Sequence, residues 1–462
     1  MIPLGYTSIQ PKATVGFHPN PVGVKTSKAI TFNGESHLLT VCPTGGGKGV
    51  NCLIPTLLTY EGSTVTLDPK GENYKVTAKR RRAMGHQVVK FDPFKIIDDG
   101  FSCDGFNPLD LRHFGGFDIE EESLSLADQL KGKRRSTHSD IFWDCSAVNV
   151  VSAAIAVVLS LYEDEKVNLS EAIRFLMQPE LVYEFAVVLD NHSTQLPEGT
   201  KYSIKTYLET PEQNTRPSVD ATVNTYLLSL KSEGILKMLE KTTFSLEEFI
   251  VGSRPMDLYF VWPSDKLESH NGLLSMLLAT LFKALLLRTG KPKHRNLFLL
   301  DETAALGAFP LLETIAAIGR GYGITMWLFL QDYAQLKRNF QDGASTLINN
   351  CGVHQFFGIK TFHVAKDIAA ITGLNPQQIM SMASDEQYLC VDGEVYPNAK
   401  RLNYLLDKNF EGLYEPNSFY QPQPESLPKA RPRPRSVVDK VESTTRKKSK
   451  QIALNDDDDD LF

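Results

Sequence analysis

Four short stretches of this sequence carry residues suited to chemistry. The first is CPTGGGKG, residues 42–49, a glycine run that ends in lysine. Successive backbone N–H groups of such a turn can converge on phosphate oxygens, and a helix opening behind it adds partial positive charge. Pro43, Thr44, Gly45, Gly46, Gly47, Lys48, Gly49 and Val50 are therefore the expected nucleotide-binding residues. The Lys48 ammonium would reach the β- and γ-phosphates as a compact point charge. The stretch departs from GxxxxGK[ST] at both ends: Cys42 replaces the first glycine, and Gly49 replaces the hydroxyl that would meet magnesium. Thr44 is a candidate to supply that hydroxyl instead.

The second stretch, NLFLLDE, is an apolar run that ends in Asp301 and Glu302. Acids at the C-terminal end of a parallel strand sit at the sheet edge where phosphate loops open. Asp301 is expected to hold magnesium through water, and Glu302 to orient or deprotonate an attacking water. The third, ITMWLFLQD, puts Gln331 at the end of another apolar run, where it could sense a γ-phosphate. In the fourth, IAAIGRGYGI, Arg320 stands between glycines on a tight turn, a place from which an arginine can cross to a neighbouring subunit. Lys48, Glu302, Arg320 and Gln331 form the expected catalytic set, with ATP and Mg2+ as cofactors.

The elements that must position these residues follow a βαβ rhythm. HLLTVCP, STVTLD and HQVVKFD are β-rich runs separated by helical patterns, and MDLYFVWP, NLFLLDE, ITMWLFLQD and VHQFFGI resume the rhythm later. Such alternation predicts an α/β fold with a mostly parallel sheet flanked by helices. Between the two halves the pattern is amphipathic helix, as in residues 146–161, 169–176, 179–188 and 218–231. The predicted organisation is an N-terminal arm (1–36), a split nucleotide-binding domain (37–110 and 249–420), an inserted all-α domain (111–248) and a disordered tail (421–462). In that tail, proline-rich QPQPESLPKARPRPRS and basic KVESTTRKKSK precede an acidic end.

The whole-chain balance is that of a globular protein: 42% hydrophobic, 23% charged, formal net charge −6. This excludes a globally basic nucleic-acid binder, so any DNA contact must be local. Local basic runs are Lys79–Arg82, Lys131–Arg135 and the tail, and Lys131–Arg135 is the candidate DNA-contacting loop. Six scattered cysteines without a CxxC pair suit a reducing cytoplasm. The start MIPLGYTSIQPKATVG has no signal-peptide pattern, and the apolar windows at residues 148–162 and 273–287 fall short of a bilayer span. The terminal DDDDDLF resembles the acidic tips by which single-stranded-DNA-binding proteins dock, or is a solubilising tail.

Taken together, the 42–74 block, HQVVKFDP, FWDCSAVNVV, LETPEQNTRPSV, the 258–281 block, NLFLLDETAALG and RGYGITMWLFLQDYAQL resemble the TraG/TraD-type coupling ATPases of conjugation and type IV secretion. LDPKGENY, LDETAALG and the 320–331 block are the most specific parts. The resemblance implies a RecA-like P-loop NTPase with an inserted all-α domain, assembled as a homo-oligomeric, hexameric ring. It further implies work at the cytoplasmic mouth of a secretion channel, with channel components, a relaxase or effector proteins, and DNA as partners. By the same resemblance Lys48, Asp301, Glu302, Gln331 and Arg320 occupy the Walker A, Walker B, glutamine-sensor and arginine-finger positions. Asp68 and Lys70 lie in the matching DPKGE loop. The family's usual pair of N-terminal membrane helices has no counterpart ahead of His37 here. That predicts a cytoplasmic protein held peripherally at the inner membrane through its partners. A second reading is a nucleotide-switched substrate receptor or adaptor without strong motor activity, which would not need Lys48, Glu302 and Arg320 together.

Overall fold

Strands covered by helices on both faces read as continuous apolar runs instead of alternating ones. In the computed structural model, which describes residues 1–8, 27–132, 140–307, 309–341 and 343–420, those runs are strands. The strands are β1 (Ile2–Tyr6), β2 (Ala29–Phe32), β3 (His37–Val41), β4 (Ser63–Asp68), β5 (Gln87–Phe91), β6 (Met256–Val261), β7 (Asn296–Leu300), β8 (Ile324–Leu330), β9 (Cys351–Phe356), β10 (Glu386–Val391) and β11 (Glu394–Lys400). Every residue of β3, β4, β6, β7 and β8 is buried. They belong to one eleven-stranded sheet in the order β2-β1-β11-β10-β9-β3-β8-β7-β4-β6-β5. From β9 to β5 every pairing is parallel. From β9 outward to β2 every pairing is antiparallel.

Residues 1–36, expected as an arm, thus contribute two strands to the sheet edge. Ile2, Leu4, Ile30 and Phe32 alternate with more exposed neighbours and are 0–7% exposed. Pro3 and Gly5, which read as strand breakers, are accommodated because the register shifts between them.

Between β5 and β6 the elements described are helical. The centre of this region is the helix Asp140–Leu161, against which Ile119–Leu130, Leu169–Leu176, Glu198–Leu208 and Thr215–Leu227 pack. It runs longer than the apolar window in the sequence suggests. Its 21 residues Ile141–Leu161 are long and apolar enough to cross a membrane by length and composition alone. Inside this fold Ala154, Ile155, Val157 and Val158 are fully buried against neighbouring helices, so the helix serves as a core element. Asp104, Gly105 and Asn107, just after β5, bond to Lys90, Thr242 and Thr243, so the ends of the helical excursion are stitched together beside the sheet.

The residues up to Glu415 make one compact unit, and a second begins at Pro416. Residues 416–420 of that second unit form a short turn closed by Tyr420 N donating to Asn417 O. The expected tail, with its basic stretch and DDDDDLF end, lies outside the described residues, as do Lys133, Arg134 and Arg135.

The basic run at residues 79–82 turns out to be partly internal. Arg81 is completely buried on the Glu72–Ala83 helix, forming a bidentate pair with Asp257 at 2.6 and 2.7 Å and donating to the carbonyls of Leu57, Tyr60 and Gly62. His86 completes the cluster, 3.0 Å from Asp257. A guanidinium stripped of water persists only when its donors are all matched. Asp257→Ala, which strands that charge, should cost about 3–5 kcal/mol in urea unfolding. A loss under about 1 kcal/mol would show that the cluster carries no such stress.

Candidate functional site

Parallel strands bring all their C-terminal ends to one edge, and the order β3-β8-β7-β4 decides which ends are neighbours. The glycine loop follows β3, Gln331 follows β8, Asp301 and Glu302 follow β7, and Asp68 closes β4. Register aligns them: Val41 lies level with Leu330, and Leu67 pairs with Leu300, so Asp68 and Asp301 share the next rung. Cys42 N donates to Leu330 O at 2.9 Å and fixes the loop's departure from the sheet.

The loop needs its glycines for two different reasons. Gly45 and Gly47 take φ of 77° and 95°, the left-handed region that favours glycine. At Gly46 a Cβ would strike the Sγ of buried Cys42, so the cysteine in the first-glycine position closes the space beneath the turn. Gly46 N donates to Pro43 O, and behind the loop Asn51 N and Nδ2 both donate to Gly47 O as the helix starts. Val50 is buried at the root of that helix, whereas Thr44 is exposed at the tip of the turn.

Lys48 reaches across to the acids. Its Nζ lies 2.7 Å from Asp301 Oδ1 and donates to Glu302 Oε2 at 2.9 Å. Gln331 Nε2 donates to the other Glu302 oxygen at 2.6 Å, which pins the carboxylate in one orientation. Glu302 sits in the left-handed region at φ 64°, a strained place for a side chain of its size. That turn swings its carboxylate back toward β8 and Lys48. Burial presses the Lys48 ammonium toward neutrality, but Asp301 and Glu302 outweigh it and hold its pKa above the ordinary lysine value. Burial pushes the Asp301 carboxyl up, and Lys48 offsets only part of that. Asp68 is 1% exposed, and burial raises its pKa to about 7 against the stabilising N–H groups of Tyr74 and Asn73. The nearby charges of Asp301 and Glu72 add to the rise.

Arg320 is not brought to this cluster. It precedes β8, while Gln331 follows it, and a strand of seven residues at about 3.3 Å per residue separates the two by roughly 20 Å. Arg320 is exposed and donates to Asn350 O at 3.0 Å, on the opposite edge of the sheet. Two other residues are brought in that spacing alone did not single out. Arg401, just after β11, donates from Nη1 to Gly46 O at 2.8 Å and stacks over Phe357 at 4.9 Å. Glu72, at the start of its helix, faces Gly49. Glu72 ends the DPKGE segment marked in the sequence, but its approach to Gly49 comes from the fold, and Arg401 belongs to no motif that the sequence marked.

Over residues 7–374 the chain matches the family described as type IV secretory system conjugative DNA transfer. The chain belongs to this family. It is 30% identical over 433 residues to the conjugal transfer protein TraG of Agrobacterium fabrum, covering 84% of this chain and 63% of that protein. It is 27% identical over 380 residues to the type IV secretion system-coupling protein VirD4 of Bartonella quintana, covering 77% and 57%. The chain spans about half of some of the curated relatives it matches, as with the 53% of the probable TraG of Sinorhizobium fredii. Among solved structures, the plasmid coupling protein TrwB in complex with the GTP analogue GDPNP superposes with a TM-score of 0.60. That likeness, at 15% identity over 80% of this chain and 85% of TrwB, shows the RecA-like fold. TrwB has also been solved with ADP and Mg2+.

The raised Asp68 pKa has a consequence for stability. The folded chain ionises this carboxyl less readily than the unfolded chain, so its effect lowers stability as pH rises from about 4 to about 7 and then levels off. Asp68→Asn removes the penalty while its amide oxygen can still accept from Tyr74 N. Its Tm should exceed that of the unmodified protein at pH 8, by on the order of 2–4 °C for each kcal/mol relieved. The gain should vanish near pH 4. Differential scanning calorimetry at both pH values tests this, and equal shifts at each would refute the assignment.

Proposed function

We propose that this chain is an ATP-hydrolysing coupling protein that assembles into a hexameric ring and delivers a DNA–relaxase complex, a protein substrate or both to a type IV secretion channel. The observation that carries the reading is the convergence of Lys48, Asp301, Glu302 and Gln331 on one sheet edge beside a glycine loop.

In this reading the backbone N–H groups of residues 45–49 receive the phosphates, and Lys48 exchanges part of its contact with the acids for phosphate oxygens. Gln331 holds Glu302 so that its carboxylate can orient water and take its proton. The donor set suits Mg2+: Asp301 Oδ1 is buried with Lys48 as its ion-pair partner and no well-directed hydrogen bond. Among the described residues no three His, Cys, Asp or Glu side chains converge as a closed metal cage. Mg2+ ordinarily completes such sites with phosphates and water rather than with protein ligands. Asp301 is the residue that would hold it, and when bound it would neutralise charge developing on the phosphates.

Arg320, remote from its own chain's loop, serves a neighbouring subunit's site in the ring. DNA contacts would run through loops lining the pore.

Glu302→Gln should leave nucleotide binding intact and lower ATP turnover by about 10²–10⁴-fold. A variant that keeps full turnover would remove Glu302 from the chemistry. Subunit mixing tests the ring. Lys48→Ala and Arg320→Ala proteins should each be inactive alone, with the Arg320 loss reaching about 10³–10⁵-fold. Mixed, they should regain turnover, because some sites then pair an intact Lys48 with an intact Arg320 from the next subunit. If mixing restores nothing while mixed oligomers form, Arg320 does not act in trans.

A further inference from the structure

The position after Lys48 is where the loop departs from the usual pattern, because Gly49 offers magnesium no hydroxyl. The structure puts an acid beside that gap. A Cβ built on Gly49 would have one neighbour within 4 Å, the Oε1 of Glu72, at 3.8 Å. Gly49 is not among the residues with positive φ, so its backbone does not require glycine. The room a serine side chain would occupy is therefore open, and a carboxylate oxygen borders it.

The way Glu72 arrives there accounts for the DPKGE segment as a unit. Asp68 ends β4 and accepts from Tyr74 N at 2.9 Å, closing the turn from the strand into the helix. Gly71, at φ 67°, makes the sharp reversal, and a Cβ on it would lie 2.5 Å from the Cδ1 of Ile97. Glu72 is the first residue after that reversal and begins the helix Glu72–Ala83. An acid in a helix's first turn is commonplace, because it complements the dipole. Its nearness to Gly49 is what singles this one out.

We infer that Glu72 supplies the oxygen that Gly49 lacks, acting as a magnesium-positioning residue that accepts from the cation's water shell beside Asp301. The inference rests on the nucleotide-binding reading above. A carboxylate suits the task, since Mg2+ sheds its waters reluctantly and is commonly held through them by one or two acids. It also makes Gly49 and Glu72 a compensating pair: with the oxygen provided from the facing helix, the loop can close with glycine.

The test uses the full chain, a non-hydrolysable ATP analogue, and Mn2+ followed by electron paramagnetic resonance. Glu72→Gln should bind the metal-free analogue as the unmodified protein does but hold Mn2+ with the analogue about 10–100-fold more weakly. Adding Gly49→Ser to Glu72→Gln should recover most of that loss. Gly49→Ser alone should bind Mn2+ at least as tightly as the unmodified protein. A helix-capping role predicts none of this rescue, and a thermal melt of each variant identifies any loss that comes from unfolding. Glu72→Gln with unchanged Mn2+ affinity, or with a loss that Gly49→Ser fails to repair, overturns the inference while the nucleotide site stands. Failure of the unmodified protein to bind the analogue with or without Mn2+ overturns both.

Discussion

The Lys48 ammonium is held by two carboxylates 253 and 254 positions further along the chain, and the arrangement of the site depends on that contact. A largely buried lysine would ordinarily shed its proton, and a buried aspartate would ordinarily keep one. Each suppresses the other's tendency here. The contact forms only because β8 lies between β3 and β7, leaving room at the edge for a side chain from each of the three strands. Gln331 fills the middle position and fixes Glu302, and the left-handed backbone at Glu302 directs it inward. Strain of that kind persists where surrounding contacts over-determine it, as two hydrogen bonds on one carboxylate do here.

Much of this was legible because the relevant signals are local and redundant. Continuous apolar runs marked β3, β4, β6, β7 and β8, and the polar residues ending the β4, β7 and β8 runs marked the candidate edge. The same logic brought Lys48, Asp301, Glu302 and Gln331 together before any geometry was known. What escaped was carried by short or polar strands. β11 is mostly exposed and includes Pro397, and β1 has Pro3 and Gly5 within five residues. Such strands hold their place through pairing partners far away in sequence, which periodicity cannot report.

Charge misleads in a related way. Lys79–Arg82 reads as one basic run, yet Lys79 is exposed and pairs with Glu415 while Arg81 is sealed beneath the sheet with Asp257. The difference arises because a helix turns successive residues to different faces. Arg320 shows a comparable limit: its glycine-flanked turn was visible, but the sheet alone shows that it lies at the edge opposite Lys48.

The edge strands also reach the glycine loop. Tyr6 of β1 pairs with Lys400 of β11, and the next residue, Arg401, grips the Gly46 carbonyl. Just beyond, Tyr404 donates its N–H to Val50 O and packs with Val50 and Ile54 behind the loop. The path from the edge strands to the glycine loop therefore runs across the sheet instead of through the helical region. The loop is thereby fastened to the outermost strands by contacts from one short segment, residues 400–404.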